Sequence, residues 1–167
     1  MSSPEIKQVR DQTAIDTVAM LADEIWHRHF VPIIGREQVD YMLDKFQSAT
    51  AVAGQIKNGY EYYLIYDGPA PAGYFCLVPP AAEKEAQLSK LYLLKHKRGT
   101  GLGCCMLAFC EQRARQLGSA KLWLTVNRHN HSAIGFYEHN GFIKSGTLVQ
   151  DIGQGYVMDD FIMEKVI

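Results

Sequence analysis

The first third of the chain is predicted to be mainly helical, because apolar residues recur there every three or four positions. Weak alternation over residues 5–10 indicates an edge strand, and Asp11 then stands where a helix N-cap is expected. A second helix is predicted after Gly35, and a third begins at the capping residue Ser48. This region is expected to form a helical hairpin. The apolar face of its first helix comprises Ala14, Val18, Leu21, Ile25 and His29.

The middle of the chain is predicted to form strands. Residues 60–66 and 72–78 are rich in β-forming side chains, and Asp67-Gly68 between them is typical of a hairpin turn. Pro79 and Pro80 end the second strand. These two segments are therefore expected to pair.

A strand, a helix and a further strand follow in that order. After a strand that runs to Leu93, apolar residues recur at helical spacing from Leu102 to Leu117, and Gly118 ends the helix. Residues 121–127 alternate again, so the segment predicts a parallel crossover. The tail, residues 151–165, is predicted to form a closing hairpin that bends at its two glycines.

The loop that enters this helix is basic and rich in glycine. Lys95-His96-Lys97-Arg98 is followed by Gly99, Gly101 and Gly103. Glycine adopts backbone angles closed to other residues, so successive N–H groups can converge on one oxyanion. The first helical turn adds unpaired N–H groups and a positive dipole end. The loop predicts a phosphate cradle, with an ordinary glycine-rich turn as the alternative.

Spacing excludes two common phosphate loops. A Walker loop ends in Gly-Lys-Ser/Thr, whereas this loop ends in Gly101-Leu102-Gly103-Cys104. A dinucleotide fingerprint needs G-x-G-x-x-G, whereas the three glycines here are spaced G-x-G-x-G.

Length, composition and net charge limit the classes of protein to which the chain can belong. The chain has 167 residues, 47% of them apolar, which fits one compact α/β domain over residues 1–167. A net charge of −1 argues against general nucleic-acid binding. The sequence shows neither an apolar membrane segment nor a signal-peptide core, and the 4 cysteines are expected to be reduced core residues of a cytoplasmic protein. His27 and His29 are two apart on a helix, so no metal site is expected.

Two motifs carry a resemblance to a known family. Arg98-Gly99-Thr100-Gly101-Leu102-Gly103 resembles the R-x-x-G-x-G motif by which GNAT-family N-acetyltransferases hold the pyrophosphate of coenzyme A. About one helix and one strand later, the chain fits the family pattern N-x-x-A-x-x-x-Y-x-x-x-G-F. The matching residues are Asn130, Ala133, Tyr137, Gly141 and Phe142.

The resemblance implies an α/β (α+β) GNAT fold, with a mixed sheet of about seven strands splayed in a V around acetyl-CoA and four to five flanking helices. It implies that backbone groups of Leu91, Tyr92 and Leu93 bind the pantetheine arm and polarise the thioester carbonyl. The loop from Arg98 to Gly103 would bind the pyrophosphate, with Lys97 adding charge. It further implies that Asn130 binds the cofactor arm and that Tyr137 protonates the departing thiolate. One departure is His139, which stands where relatives often have lysine near the nucleotide.

The acceptor is expected to be a small-molecule amine. The tail pattern from Asp151 to Lys165, with residues 88–93, resembles the bacterial polyamine (spermidine/spermine-type) subgroup. A primary amine has a pKa of about 10.4 and must lose a proton before attack. Glu85 and Glu83 are the candidates to take it. Further acids that could bind the acceptor are Asp159, Asp160, Asp23, Glu24, Glu37 and Asp40.

Three functions remain open at this point. The first is transfer to a polyamine-like amine by direct attack in a ternary complex. The second is acetylation of a protein or peptide N-terminus or lysine, and the third is a non-catalytic acyl-CoA-binding module. No nucleic-acid or membrane partner is expected, and a homodimer is left open.

Overall fold

The computed structural model describes residues 3–82 and 84–167. Within them the chain forms seven strands and six α-helices, in agreement with the predicted order. The strands are β1 Glu5–Gln8, β2 Glu61–Asp67, β3 Ala70–Val78, β4 Glu85–Leu93, β5 Lys121–Asn127, β6 Ile143–Gly153 and β7 Tyr156–Val166. The helices are α1 Gln12–His29, α2 Val31–Ile34, α3 Arg36–Met42, α4 Ala49–Lys57, α5 Leu102–Gln116 and α6 His131–His139.

All seven strands form one mixed sheet, in the order β1-β2-β3-β4-β5-β7-β6. The parallel pair β4 and β5 is joined only from Glu85 to Gln87, opposite Lys121 to Trp123. Beyond these residues β4 stays paired with β3 alone and β5 with β7 alone. The two strands therefore separate into a V, which confirms the predicted splayed sheet.

The helices cover both faces of the sheet. α1 to α4 pack on one face, against side chains that include Tyr62 and Tyr74. α5 and α6 pack on the other face, against side chains that include Phe75 and Leu122. Burial of these large apolar groups is the main source of stability for both layers.

Local signals placed the helix starts correctly. The Asp11 side chain accepts a hydrogen bond from the Ala14 N–H at 2.8 Å, and the Ser48 hydroxyl accepts one from the Ala51 N–H at 3.1 Å. Each cap satisfies a backbone donor that the helix itself leaves unpaired.

The second predicted helix is not continuous. α3 ends at Met42, and residues Leu43–Gln47 form a π-helical turn. The carbonyl of Phe46 in this turn accepts hydrogen bonds from Gln55 Nε2 at 3.1 Å and from Lys90 Nζ at 2.7 Å. The sequence pattern did not reveal this, because both donors come from other elements.

α5 is fixed to the sheet by an ion pair with two hydrogen bonds. Arg113 donates to the Glu61 carboxylate through Nε at 2.9 Å and Nη2 at 2.6 Å, and the Tyr63 hydroxyl donates to the same carboxylate. These bonds, above all the one from Arg113, lower the pKa of Glu61. The helix that carries the glycine loop therefore has a fixed position over β2.

The cysteine prediction was half right. Cys76 and Cys110 are buried, but Cys104 and Cys105, in the first turn of α5, are exposed. In the part of the chain that the structure describes, no helix is long and apolar enough to cross a bilayer.

The close approach of β3 and β4 depends on Gly73. A Cβ atom at this position would collide with the Tyr92 carbonyl oxygen and lie 2.8 Å from Leu93 Cδ2. We expect Gly73→Ala to lower the free energy of unfolding by about 1–3 kcal/mol in a denaturant titration, because backbone must shift to admit the methyl group. Gly135→Ala is the matched control, since no atom lies within 4 Å of a Cβ there. Equal stability of the two variants would contradict this account.

Candidate active site

The V between β4 and β5 opens into a cavity of about 740 Å³. β4 and β5 form its two sides, the glycine loop and α6 contribute on the α5 face, and α1, α3 and α4 contribute on the other face. A cleft of this size accommodates a small molecule. The predicted site residues that line it are Leu91, Tyr92, Leu93, Arg98, Gly99, Gly101, Gly103, Asn130 and Tyr137.

The β4 side of the cavity is a strand edge with free hydrogen-bonding groups. Leu94 N–H donates to Ala72 O at 2.9 Å, so Leu94 belongs to a hydrogen-bonded pair with β3. Pairs in an antiparallel ladder alternate between bonded and non-bonded types. The Tyr92 backbone therefore bonds to β3, whereas the N–H and C=O groups of Leu91 and Leu93 point into the gap that β5 has left. This refines the expectation that all three residues offer backbone groups to a ligand.

The glycine loop has the backbone geometry that the sequence predicted. Gly99 and Gly101 have φ angles of 73° and 88°, in the left-handed region that favours glycine. Gly101 is the N-cap of α5 and offers no side chain to its first-turn N–H groups. A Cβ atom at Gly101 would meet no protein atom within 4 Å, so the space in front of the helix end is open. This end of α5 suits an anion.

Gly103 has a different role from the other two glycines. A Cβ there would lie 3.3 Å from the Phe136 ring, so this glycine lets α5 approach α6 closely. Leu102 is buried in the core. The Thr100 hydroxyl donates to the Lys97 carbonyl at 2.6 Å, within the loop. Neither Leu102 nor Thr100 is among the cavity-lining residues.

The two predicted cationic side chains of the loop differ in their partners. Lys97 Nζ lies 2.7 Å from Asp67 Oδ2, which compensates its charge. Arg98 lines the cavity, and its Nη1 donates to His29 Nδ1 at 3.2 Å. Arg98 is therefore the cation that the loop presents to the cavity.

His29 connects the two family motifs, which the sequence did not indicate. Its Nε2 donates to the side-chain oxygen of Asn130 at 3.0 Å, while its Nδ1 accepts from Arg98. Burial, and secondarily Arg98, lower the pKa of His29, so the neutral ring that this pattern requires is favoured. Asn130 is itself buried and uses its side chain for this bond, not for capping α6. His29 is 101 residues away from Asn130, so no local pattern could have paired them.

Tyr137 reaches the cavity from α6. The residue is buried against Phe136 and Phe142, and burial raises the pKa of its hydroxyl above the usual range for tyrosine. The hydroxyl therefore keeps its proton at neutral pH and can donate it. His139, two residues further along, is exposed at the end of α6 and does not line the cavity.

Asp160 is the carboxylate inside the cavity. It lies on β7 opposite Asn127, is 5% exposed, and burial raises its pKa to about 6. Its neighbour Asp159 points to the other side, where it lies 2.8 Å from Arg128 Nε. Strand alternation predicted that only one of these two acids would face the cleft, and the structure confirms that geometry.

The other predicted acids are placed elsewhere. Glu85 lies at the paired end of β4, where its carboxylate is 3.2 Å from Lys121 Nζ, and it does not line the cavity. This position does not support its predicted role as proton acceptor, and Glu83 lies outside the described residues. Asp23 and Asp40 both bond to His27. Glu24 and Glu37 are not among the cavity-lining residues either.

The glycine loop and the Tyr137 motif are shared with a large family. The sequence profile of the acetyltransferase (GNAT) family matches residues 20–142. An uncharacterized N-acetyltransferase of Lactobacillus delbrueckii subsp. lactis is 26% identical over 175 residues, which cover 100% of this chain and 99% of the relative. An uncharacterized N-acetyltransferase of Mycobacterium bovis is 27% identical, with 92% of this chain and 97% of the relative covered.

Solved structures share the fold at lower identity. A PaiA N-acetyltransferase from Thermoplasma acidophilum, crystallised with coenzyme A, has a TM-score of 0.84 at 23% identity, with 99% of this chain and 100% of that chain covered. A chimera of the spermidine N-acetyltransferase SpeG from Vibrio cholerae and hSSAT has a TM-score of 0.71 at 16% identity, with 99% and 96% covered. Identities this low establish the fold and not the acceptor.

The profile match spans both motifs and most of the sheet that carries them. The chain therefore belongs to the acetyltransferase (GNAT) family, and it is an N-acetyltransferase that uses acetyl-CoA.

Proposed function

We propose that this protein acetylates a small primary amine by direct attack in a ternary complex, with Asp160 as general base and Tyr137 as general acid. One observation carries the proposal. Asp160, Tyr92 and Tyr137 all line the same cavity, and burial, followed by the charges of Tyr137 and Asp160, raises the pKa of Tyr92. The acid and the base therefore line one cavity, in the part where β4 and β5 have already separated.

The chain supplies two kinds of group to hold acetyl-CoA. The open β4 edge at Leu91 and Leu93 offers N–H and C=O groups to the pantetheine amides and to the thioester carbonyl. The left-handed glycines and the N-terminus of α5 offer N–H groups and a positive dipole end to the pyrophosphate, with Arg98 adding charge. Asn130 lines the same cleft and is linked through His29 to Arg98.

Proton transfer follows from the protonation states of the two residues. With a pKa of about 6, Asp160 is ionised at neutral pH and can accept a proton from an ammonium group that enters the cavity. Tyr137 remains protonated and can donate to the sulfur as the thiolate leaves. The base and the acid are thus poised in the states that the reaction requires.

The acceptor class follows from the charges in the cavity. Among the described residues, Asp160 is the one carboxylate in the lining, which favours an acceptor with a single ammonium group. The polyamine hypothesis stays a prediction, as does the alternative of a protein or peptide amine. An assay of thiol release from acetyl-CoA, run with spermidine, with primary monoamines and with short peptides, distinguishes these three acceptor classes.

The loop geometry predicts that Gly101→Val abolishes coenzyme A binding, because its side chain would occupy the space in front of α5. Gly118→Val is the matched control, since Gly118 has a φ of 85° against 88° at Gly101 and is equally open. Both variants carry similar backbone strain, so calorimetry should show loss of binding only in the first. Retained affinity in a folded Gly101→Val protein would exclude this loop as the phosphate site.

Removal of the Tyr137 hydroxyl should affect the chemical step. We expect Tyr137→Phe to lower kcat by about tenfold to a thousandfold with little change in the Kd of acetyl-CoA, because the hydroxyl acts when the thiolate leaves. Steady-state kinetics and calorimetry on the same preparation measure both quantities. Full activity would assign the proton donor to water or to another group.

The raised pKa of Asp160 predicts a pH dependence. Because the ionised form is the base, kcat should fall as the pH drops through about 6, and Asp160→Asn should remove this limb and lower kcat by about a hundredfold or more. Asp159→Asn is the control, since that side chain pairs with Arg128 outside the cavity. A wild-type pH profile retained in Asp160→Asn would rule this residue out as the base.

A further inference from the structure

Lys90 is a buried cation on the wall of the same cavity. It is 7% exposed and follows a bulge in β4, where Cys76 pairs with Lys90 and Leu77 pairs with Leu88. Its Nζ donates to Phe46 O at 2.7 Å, to Gln55 Oε1 at 2.9 Å and to the Tyr62 hydroxyl. All three acceptors are neutral. Within the described residues, no carboxylate forms an ion pair with Lys90.

A buried ammonium group without a counter-anion is energetically costly. Burial lowers the pKa of Lys90 to about 8, so the group still carries its charge at neutral pH. The hydrogen bonds to Phe46, Gln55 and Tyr62 account for its donors but not for its charge. A negative group that enters the cavity would supply the missing partner.

A second unpaired donor lines the same cavity. Trp26 is 4% exposed, and its buried indole Nε1 faces the Tyr74 hydroxyl but does not reach it within normal hydrogen-bond distance. Its ring lies edge-on to Tyr92, with 5.6 Å between centroids. Buried indole N–H groups are normally bonded, so this one has a donor to offer. Nearby, Gln47 accepts from the Tyr74 hydroxyl through Oε1, which leaves its amide nitrogen as a donor.

These donors lie on the same face of the sheet as Asp160. Lys90 and Tyr92 are two apart on β4 and share the face covered by α1 to α4, where Trp26 packs. Asp160 pairs directly with Asn127, and both line the cavity from across the gap. The cavity therefore has one wall of donors with a positive charge and one negative wall.

We propose that the acceptor is amino-acid-like, with a carboxylate that binds at Lys90 and Trp26 and a primary amine that binds at Asp160. The inference rests on the proposed function and specifies its substrate class. It also disfavours spermidine, because a second ammonium group would meet the positive charge of Lys90.

Matched acceptor pairs test the proposal. Each pair consists of a straight-chain ω-amino acid, from β-alanine to 6-aminohexanoate, and the n-alkylamine with the same number of methylene groups. α-Amino acids are compared with their amides in the same assay of thiol release from acetyl-CoA. We expect at least one carboxylated acceptor to exceed its neutral partner about tenfold or more in kcat/KM, since its carboxylate compensates the charge of Lys90. Preference for the neutral partner in every pair would overturn the proposal.

Two variants locate the carboxylate site. Lys90→Met keeps an unbranched side chain, shorter by the terminal atom, and removes the charge, and Trp26→Phe keeps an aromatic ring and removes the N–H. Both should lower kcat/KM for the carboxylated acceptor, by about tenfold to a hundredfold for Lys90→Met, and leave the neutral amine nearly unchanged. Lys57→Met is the control, because Lys57 is exposed at the end of α4.

The outcomes separate this inference from the proposed function. An equal loss for both acceptor types in both variants, with coenzyme A affinity retained, would show that Lys90 and Trp26 only support the fold. Should Lys90→Met fail to fold, the Trp26→Phe comparison decides alone. Absence of transfer to every amine would instead contradict the proposed function itself.

Discussion

The incomplete pairing of β4 with β5 is the constraint on which the site depends. The two strands are bonded over three residue pairs and then diverge, so one edge of each strand loses its partner in the middle of the sheet. Backbone N–H and C=O groups that are buried without partners are costly, and a native structure satisfies them with water or a ligand. The sheet thus presents a row of backbone groups at Leu91 and Leu93, which suits the amides of a pantetheine arm.

The two faces of the sheet carry different groups of the proposed site. The α5 face carries the glycine loop, whose position is fixed through Arg113 and Glu61, and it also carries Tyr137. The α1 to α4 face carries Lys90 and the aromatic group around Tyr92. The two faces meet at the gap between β4 and β5, where the proposed sites for the acceptor and for acetyl-CoA adjoin. His29 ties the helical layer to both motifs at the edge of this gap.

Features that depend on neighbours in sequence were predictable. The caps at Asp11 and Ser48, the special backbone angles of the loop glycines and the order of strands follow from spacing and residue type, and the structure bears them out. Features that depend on contacts between residues far apart in the sequence were not predictable. The Lys90 ammonium group, for example, is held by the carbonyl of Phe46, which is 44 residues away. The position of Glu85 away from the cavity was not predictable either, because the sequence does not tell at which end of β4 the sheet stays paired.

The most direct test is amide hydrogen exchange of β4 by NMR, with and without coenzyme A. The account predicts that the N–H groups of Leu91 and Leu93, which face the gap, become protected when the ligand binds. Tyr92, whose backbone bonds to β3, should show protection that is independent of the ligand and so serves as the internal reference. Bound coenzyme A that leaves Leu91 and Leu93 exchanging as in the free protein would contradict the claim that the open edge of β4 holds the cofactor.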